Sequence, residues 1–375
     1  MAMQERLDRV LEAAMGSRRL VGAVVVVAQG GRIAYRRACG FADREAGTDL
    51  APEHLFRLAS LTKPVVTAAA MALIEQGKLA LEDRLARWLP GFQPRLPDGR
   101  APDITIRQLL THTSGLSYGF SEDADGPYHR ANVSDGLDQP GLSLEENLRR
   151  LASVPLLFEP GSDWKYSLSL DVLGAVLQEV ERAPLPDIVR RLVTGPLGMN
   201  DTDFHAREPA RLAVPYVDGS DGPVRMGDPH LVPLPPGEGL RFAPSRALNL
   251  SSYPAGGVGM VGTADDFVTF LETLRKGGAP ILSRTSVRAM MSNQIGALPT
   301  LLGAGWTFGF GFAVLVDPRA AATQQSAGTI KWGGVYGHSW WMDPQRELSV
   351  VALTDTTLEG MIGAFPQQVQ DAVLG

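Results

Sequence analysis

The chain has 375 residues, 44% of them hydrophobic and 20% charged, and a formal net charge of −6. That is ordinary for a soluble protein of one large domain or two intimate ones, and an acidic balance without a basic footprint argues against nucleic acid as a partner. Cys39 is the lone cysteine, which excludes internal disulfides and a cysteine-rich metal centre.

In chain order, residues 1–17 place Leu7, Val10, Leu11, Ala14 and Met15 at helical spacing among charges. This predicts an amphipathic helix rather than the apolar core of a signal peptide. With no run of membrane-spanning length, the expectation is a cytoplasmic protein with no membrane partner. Residues 20–28 (LVGAVVVVA) form a β-branched run, Gly30-Gly31 is a hairpin turn, and 32–38 resumes as a second strand. Residues 64–77 (PVVTAAAMALIEQG) are Ala-rich, apolar at helical spacing and closed by Gly77, a largely buried helix. Residues 168–180 repeat that pattern. Near the end, 335–342 and 347–354 read as strands around Asp343-Pro344-Gln345, and 358–374 as a last helix that Pro366 kinks or splits.

Strands at both ends with helices between predict an α+β fold, a central antiparallel sheet built from both chain ends with flanking helices, plus an inserted mainly helical region. The expected division is 1–60 with 250–375 as the sheet domain and 61–249 as the helical one, with the site at their interface. Gly/Pro-rich stretches at 114–141 and 215–257 are loops long enough to line or cover a site.

Ser60-Leu61-Thr62-Lys63 stands where the 64–77 helix begins, because Pro64 is tolerated only in a first turn. Ser60 and Lys63 then share one face, beside free backbone N–H groups and the positive end of the helix dipole. That arrangement suits a nucleophile with a lysine base, provided burial lowers the lysine pKa. The plainer reading is a helix-capping serine. Ser162 and Lys165 repeat the spacing but follow Pro160-Gly161 without a helix start.

Tyr166 sits on the loop entering the 168–180 helix, beside Lys165. A phenol near a lysine ammonium can have its pKa lowered and take and return a proton; the alternative is a half-buried aromatic with a satisfied hydroxyl. Lys331-Trp332-Gly333-Gly334-Val335-Tyr336-Gly337-His338 reads as a late strand whose glycines imply close approach to the backbone, or else a bulge. A backbone N–H there, paired with that of Ser60, would give the two donors of an oxyanion hole.

These three pieces, in this order, resemble the serine β-lactamase and penicillin-binding-protein superfamily, and most closely its esterase branch, the family VIII carboxylesterases. The resemblance runs along nearly the whole chain and includes Leu109-Leu110-Thr111-His112-Thr113-Ser114-Gly115-Leu116. It implies Ser60 as the acylated nucleophile, Lys63 and Tyr166 as the proton-transfer pair, and the N–H groups of Ser60 and Val335 as the oxyanion hole. It implies no cofactor and no metal. Two departures separate the branches. Tyr166-Ser167-Leu168 replaces Tyr-x-Asn, and Trp332-Gly333-Gly334, in preference to Lys331-Trp332-Gly333, fills the Lys-Thr-Gly slot. Losing a charge-assisted bond to a substrate carboxylate costs roughly 1.5–3 kcal/mol and losing the amide contact about 1 kcal/mol, so neutral esters fit better than anionic β-lactams. The resemblance therefore implies hydrolysis of small to medium acyl esters, a small-molecule substrate; Tyr118, Trp306, Trp332, Gly333, Gly334 and Trp340 are the candidate pocket residues. A β-lactamase or D-amino-acid peptidase, a non-catalytic penicillin-binding module and an acyltransferase of the same fold are the alternatives.

Gly115-Leu116-Ser117-Tyr118-Gly119 also fits Gly-x-Ser-x-Gly, with His338 and Asp355 downstream. That motif needs a strand before the serine and a helix after it. Here Thr105 to Gln108 reads as a capping box opening a helix that Gly115 closes. The six histidines are scattered without metal-ligand spacing, and the glycines at 255–259 lack the Lys-Ser/Thr of a phosphate loop, marking instead a sheet edge or a loop near the site.

Overall fold

The computed structural model describes residues 2–375. An eight-stranded antiparallel sheet is its backbone, made of β1 (Gly22–Gln29), β2 (Arg32–Asp43), β3 (Thr48–Asp49), β4 (Trp306–Phe308), β5 (Ala313–Leu315), β6 (Ile330–Gly334), β7 (His338–Asp343) and β8 (Leu348–Thr354). The spatial order is β4-β5-β6-β7-β8-β1-β2-β3. The chain ends meet in mid-sheet, where β1 pairs with β8 from Ala23 opposite Thr354 to Gln29 opposite Leu348.

The principal helices are α1 (Met3–Gly16), α2 (Thr62–Glu75), α3 (Ile106–Leu110), α4 (Ser169–Glu181), α5 (Ala264–Arg275) and α6 (Ala364–Leu374). The run 20–28 is apolar throughout because both faces of β1 are covered. Ala23, Val25 and Val27 join Leu7, Leu11, Phe365 and Val369 of α1 and α6. Val24, Val26 and Ala28 join the larger core that holds α2 and α5. Each buried valine is worth on the order of 1.5–3 kcal/mol. Gly30 and Gly31, at φ 59° and 85°, make the tight hairpin turn. Helix α2 is buried on every side from Thr62 to Leu73, as a helix apolar all round must be.

The expected fold class and both terminal hairpins are present, with different limits. Strand β2 runs on to Asp43. The late strand is broken: β6 ends at Gly334, and Val335 opens a turn leading to β7. The last helix is two, Thr357–Met361 and α6, parted at Ile362 and Gly363, which puts Pro366 in the first turn of α6, where it is tolerated. The long loops carry small ribbons, Tyr216–Val217 with Val224–Arg225 and His230–Val232 with Leu240–Phe242. Among the described residues no helix is long and apolar enough to cross a membrane.

Candidate active site

The short strand Phe56–Arg57 pairs with Val261–Gly262 and leads into a tight turn, Ala59–Leu61, against the start of α2. Ala59 takes φ 47°, a left-handed conformation that costs a residue with a β-carbon on the order of 1–3 kcal/mol. Strain of this kind persists only where the surroundings fix it, and the residue it presents is Ser60. Lys63 follows within the first turn of α2, wholly buried, with Nζ 3.2 Å from Ser60 Oγ. The ammonium donates to the carbonyl of Gly257 at 2.8 Å, and no carboxylate lies within ion-pair distance of it among the described residues. Burial pulls the Lys63 pKa down to about 7, against the opposing pull of Asp171 and Asp135. Its Nζ also lies over the rings of Tyr166, 4.5 Å from the centroid, and Tyr118, at 5.3 Å.

Tyr166 is held by the Leu-Thr-His-Thr-Ser-Gly-Leu stretch after α3, whose capping box at Thr105 and Gln108 forms as predicted. His112 accepts the Ser167 N–H at Nδ1 (3.2 Å), takes the Lys165 N–H on its carbonyl (2.9 Å) and packs its ring 4.8 Å from that of Tyr166. Ser114 and Ser169 hydroxyls meet at 2.8 Å, and Leu168 N–H donates to Ser117 O. Burial with Lys63 close by keeps His112 well below the usual imidazole range, so it is a neutral strut. The phenol of Tyr166 accepts the indole N–H of Trp332 at 3.0 Å. Its pKa is raised by burial, although the Ser60 hydroxyl and the Trp332 N–H favour the phenolate. The expectation of a lowered phenol therefore fails: Tyr166 is buried, and desolvation outweighs the two hydrogen bonds that favour the phenolate. Tyr166 is thus a protonated phenol near pH 7, and Lys63 is the group whose pKa lies near neutrality.

Strand β6 closes the other side. A β-carbon on Gly334 would come within 2.7 Å of Leu58 O and 3.0 Å of Leu61 Cδ1, so only glycine lets β6 lie against the Ser60 turn. Val335, next along, shares a hydrophobic cluster with Ala59. Lys331 and Trp332 point to opposite faces of β6: Lys331 Nζ sits over Trp306, 4.2 Å from its ring centroid, while Trp332 reaches Tyr166. Trp332 thus takes the site-facing position.

The pocket residues divide. Trp332 lies at the site. Trp306 belongs to the neighbouring cluster of Trp164 and Phe308 that backs Trp332. Tyr118 is 1% exposed and packs on Lys63 from beneath, not as an open wall. Trp340 is a correction: it is buried between Phe267 and Phe312 in the main core. Gly333 abuts His338 O and Met361, and Gly334 abuts the Ser60 turn, so both serve backbone packing. The Ser117 alternative does not assemble. Ser117 Oγ donates to Tyr118 O, His338 Nε2 meets Arg57 O at 2.9 Å, and Asp355 accepts the Gly22 N–H. The Ser162 hydroxyl is exposed and spent on Glu159 O.

Sequence reasoning missed Asp171 and the role of Gly257. A helical position five residues after Tyr166 carries no signal by itself, and the 255–259 glycines pointed only to a sheet edge or a loop near the site. Among the described residues no group of three or more His, Cys, Asp or Glu is arranged to hold a metal ion.

The chain matches the Beta-lactamase family over residues 7–368. It is 52% identical to Esterase EstB of Burkholderia gladioli over 374 residues, 99% of this chain and 95% of that one. The structure of EstCE1, a hydrolase with promiscuous acyltransferase activity, superposes with a TM-score of 0.97 at 48% identity, covering 99% of this chain and 98% of the other. Unliganded simvastatin synthase (LovD) from Aspergillus terreus shares the fold at 21% identity, with a TM-score of 0.76 over all of this chain and 98% of its own.

Proposed function

The chain belongs to the beta-lactamase family, and from that premise we propose that it is a serine carboxylesterase of the family VIII type, hydrolysing small to medium acyl esters through an acyl-enzyme on Ser60. The observation that carries the site assignment is the buried Lys63 amine 3.2 Å from Ser60 Oγ, with a pKa near neutrality. As a free base it takes the Ser60 proton while Oγ attacks the ester carbonyl. The oxyanion rests on the N–H groups of Ser60 and Val335. Tyr166, protonated and beside both groups, passes a proton to the departing alcohol and recovers one from Lys63. Water then attacks the acyl-enzyme by the same steps in reverse roles, releasing the acid and freeing Ser60.

Trp332 in the slot that a cation fills in β-lactamases supports neutral esters as substrates. The division into 1–60 with 250–375 and 61–249, with the site between them, is part of the same proposal, as are a cytoplasmic location and the lack of a nucleic-acid partner, for which the net charge of −6 is the support. The similarity to EstCE1 favours one second reading, transfer of the acyl group to an alcohol in place of water. Turnover of p-nitrophenyl esters by wild type and Ser60→Ala tests the first. Formation of a new ester when an alcohol is added tests the second.

A further inference from the structure

Asp171 lies in the first turn of α4, 3% exposed, and no side chain donates to its carboxylate, which only backbone N–H groups, that of Gly257 among them, approach. A buried carboxylate with so few donors is costly unless a charge compensates it. Gly257 shows where that charge is. A β-carbon built there would lie 2.5 Å from Asp171 Oδ2, 3.0 Å from Tyr118 Oη and 3.4 Å from Lys63 Nζ. Three polar groups therefore converge on one glycine, whose carbonyl already binds Lys63. Tyr118 Oη is also buried without a partner. Gly256 is as tightly placed, because a β-carbon on it would meet Leu170 O at 2.3 Å. The glycine pair lets the 255–257 backbone pass between α4 and α2 so that Asp171 faces Lys63 across it.

We propose that Asp171 is a positioning residue of this site, whose carboxylate stabilises the Lys63 ammonium across Gly257 and so sets the pH at which Lys63 becomes a base. The proposal rests on the reading of Lys63 as the proton acceptor of Ser60. In that reading the lysine becomes a buried cation as each tetrahedral intermediate forms, and the nearest negative charge lowers that barrier. The other groups facing the pair are Ser60, Asp135, His112, Tyr118, Tyr166, Tyr253 and Arg246. The histidine is neutral and the phenols protonated near pH 7. Arg246 is spent on the carbonyls of Gly136 and Tyr253 and favours the ionised Asp171. Asp135 is the weaker of the two acidic influences on Lys63 and is itself raised to about 7, so it contributes least where Asp171 is already ionised.

The test is Asp171→Asn, which keeps shape and removes charge. Its kcat/KM should rise with pH about 1 unit lower than that of wild type, since an opposite charge within ~4–6 Å shifts a pKa by roughly 1–3 units, and its plateau should fall because the base is weaker. A loss that was merely structural would lower the plateau and melting temperature and leave the limb in place, and that result overturns the proposal. The chain has five lysines, so 13Cε-lysine NMR can follow Lys63 directly. In wild type, which needs no variant to fold, its signal should titrate in two steps, one reporting Asp171; a single step overturns the proposal. A Lys63 pKa that moves in Asp171→Asn while the rate limb does not would leave the coupling standing and remove Lys63 as the base.

Discussion

The indole N–H of Trp332 donates to the phenol oxygen of Tyr166 at 3.0 Å. The ring proposed to replace the cation of the Lys-Thr-Gly slot is thus also a donor to the proposed proton relay. It leaves the Tyr166 hydroxyl hydrogen free to point toward Ser60. Trp332→Phe keeps the apolar wall and deletes the donor. A net hydrogen bond of about 1 kcal/mol predicts a kcat lower by roughly 5- to 10-fold with KM for a short ester little changed. Steady-state kinetics on p-nitrophenyl acetate check this, and a changed KM with constant kcat would speak for a purely steric role.

Tyr166→Phe removes the relay itself. Loss of a positioned proton donor typically costs 10²–10⁴-fold, so turnover should fall by about that range, approaching the serine variant. The ring, packed on His112 and Trp332, should hold its place, and the melting temperature should change little.

The pH dependence follows from which group is the base. Lys63 is free base only above about 7, so kcat/KM should climb through that region and level off. An ordinary lysine would place the climb near 10. Tyr166 and Tyr118 are held above the usual phenol range, so ionisation of either should not bend the profile downward below pH 10. A bell with a falling limb near 8 would assign the chemistry to other groups.

Gly334→Ala probes the approach of β6 to the Ser60 turn. The added methyl meets Leu58 O at 2.7 Å, and a clash with backbone cannot be relieved by a rotamer change. The strand and the turn must part, at about 1–3 kcal/mol of stability, and the Val335 N–H leaves the position proposed for the oxyanion. Thermal denaturation should show the stability loss, and kcat should drop about 10²-fold or more, the usual cost of a lost oxyanion donor.

The terminal hairpins and α2 were legible because each rests on a local signal: the Gly30-Gly31 turn, the β-branched run at 20–28, and Pro64 and Gly77 bracketing an apolar helix. The approach of Lys63 to Ser60 was legible for the same reason, since their spacing is fixed by one helical turn. Trp340 was misassigned because an aromatic beside a candidate site looks the same in sequence whether it faces a pocket or the core, and register against Trp332 alone does not say which helices cover it. The phenol shift of Tyr166 was misjudged because its sign is set by burial, which is a property of packing. Asp171 stayed hidden because its significance arises only when Gly257, nearly ninety residues later, brings Lys63 to it.

The central claim is that Ser60 is acylated by esters and that the site prefers them to β-lactams. Wild type and Ser60→Ala, assayed side by side with p-nitrophenyl acetate, butyrate and octanoate and with nitrocefin, test it most directly. The prediction is ester turnover by wild type, little nitrocefin opening, and neither turnover nor organophosphonate labelling in a folded Ser60→Ala. Full ester turnover in that variant would contradict Ser60 as the nucleophile, and fast nitrocefin opening by wild type would contradict the ester preference assigned to Leu168 and Trp332.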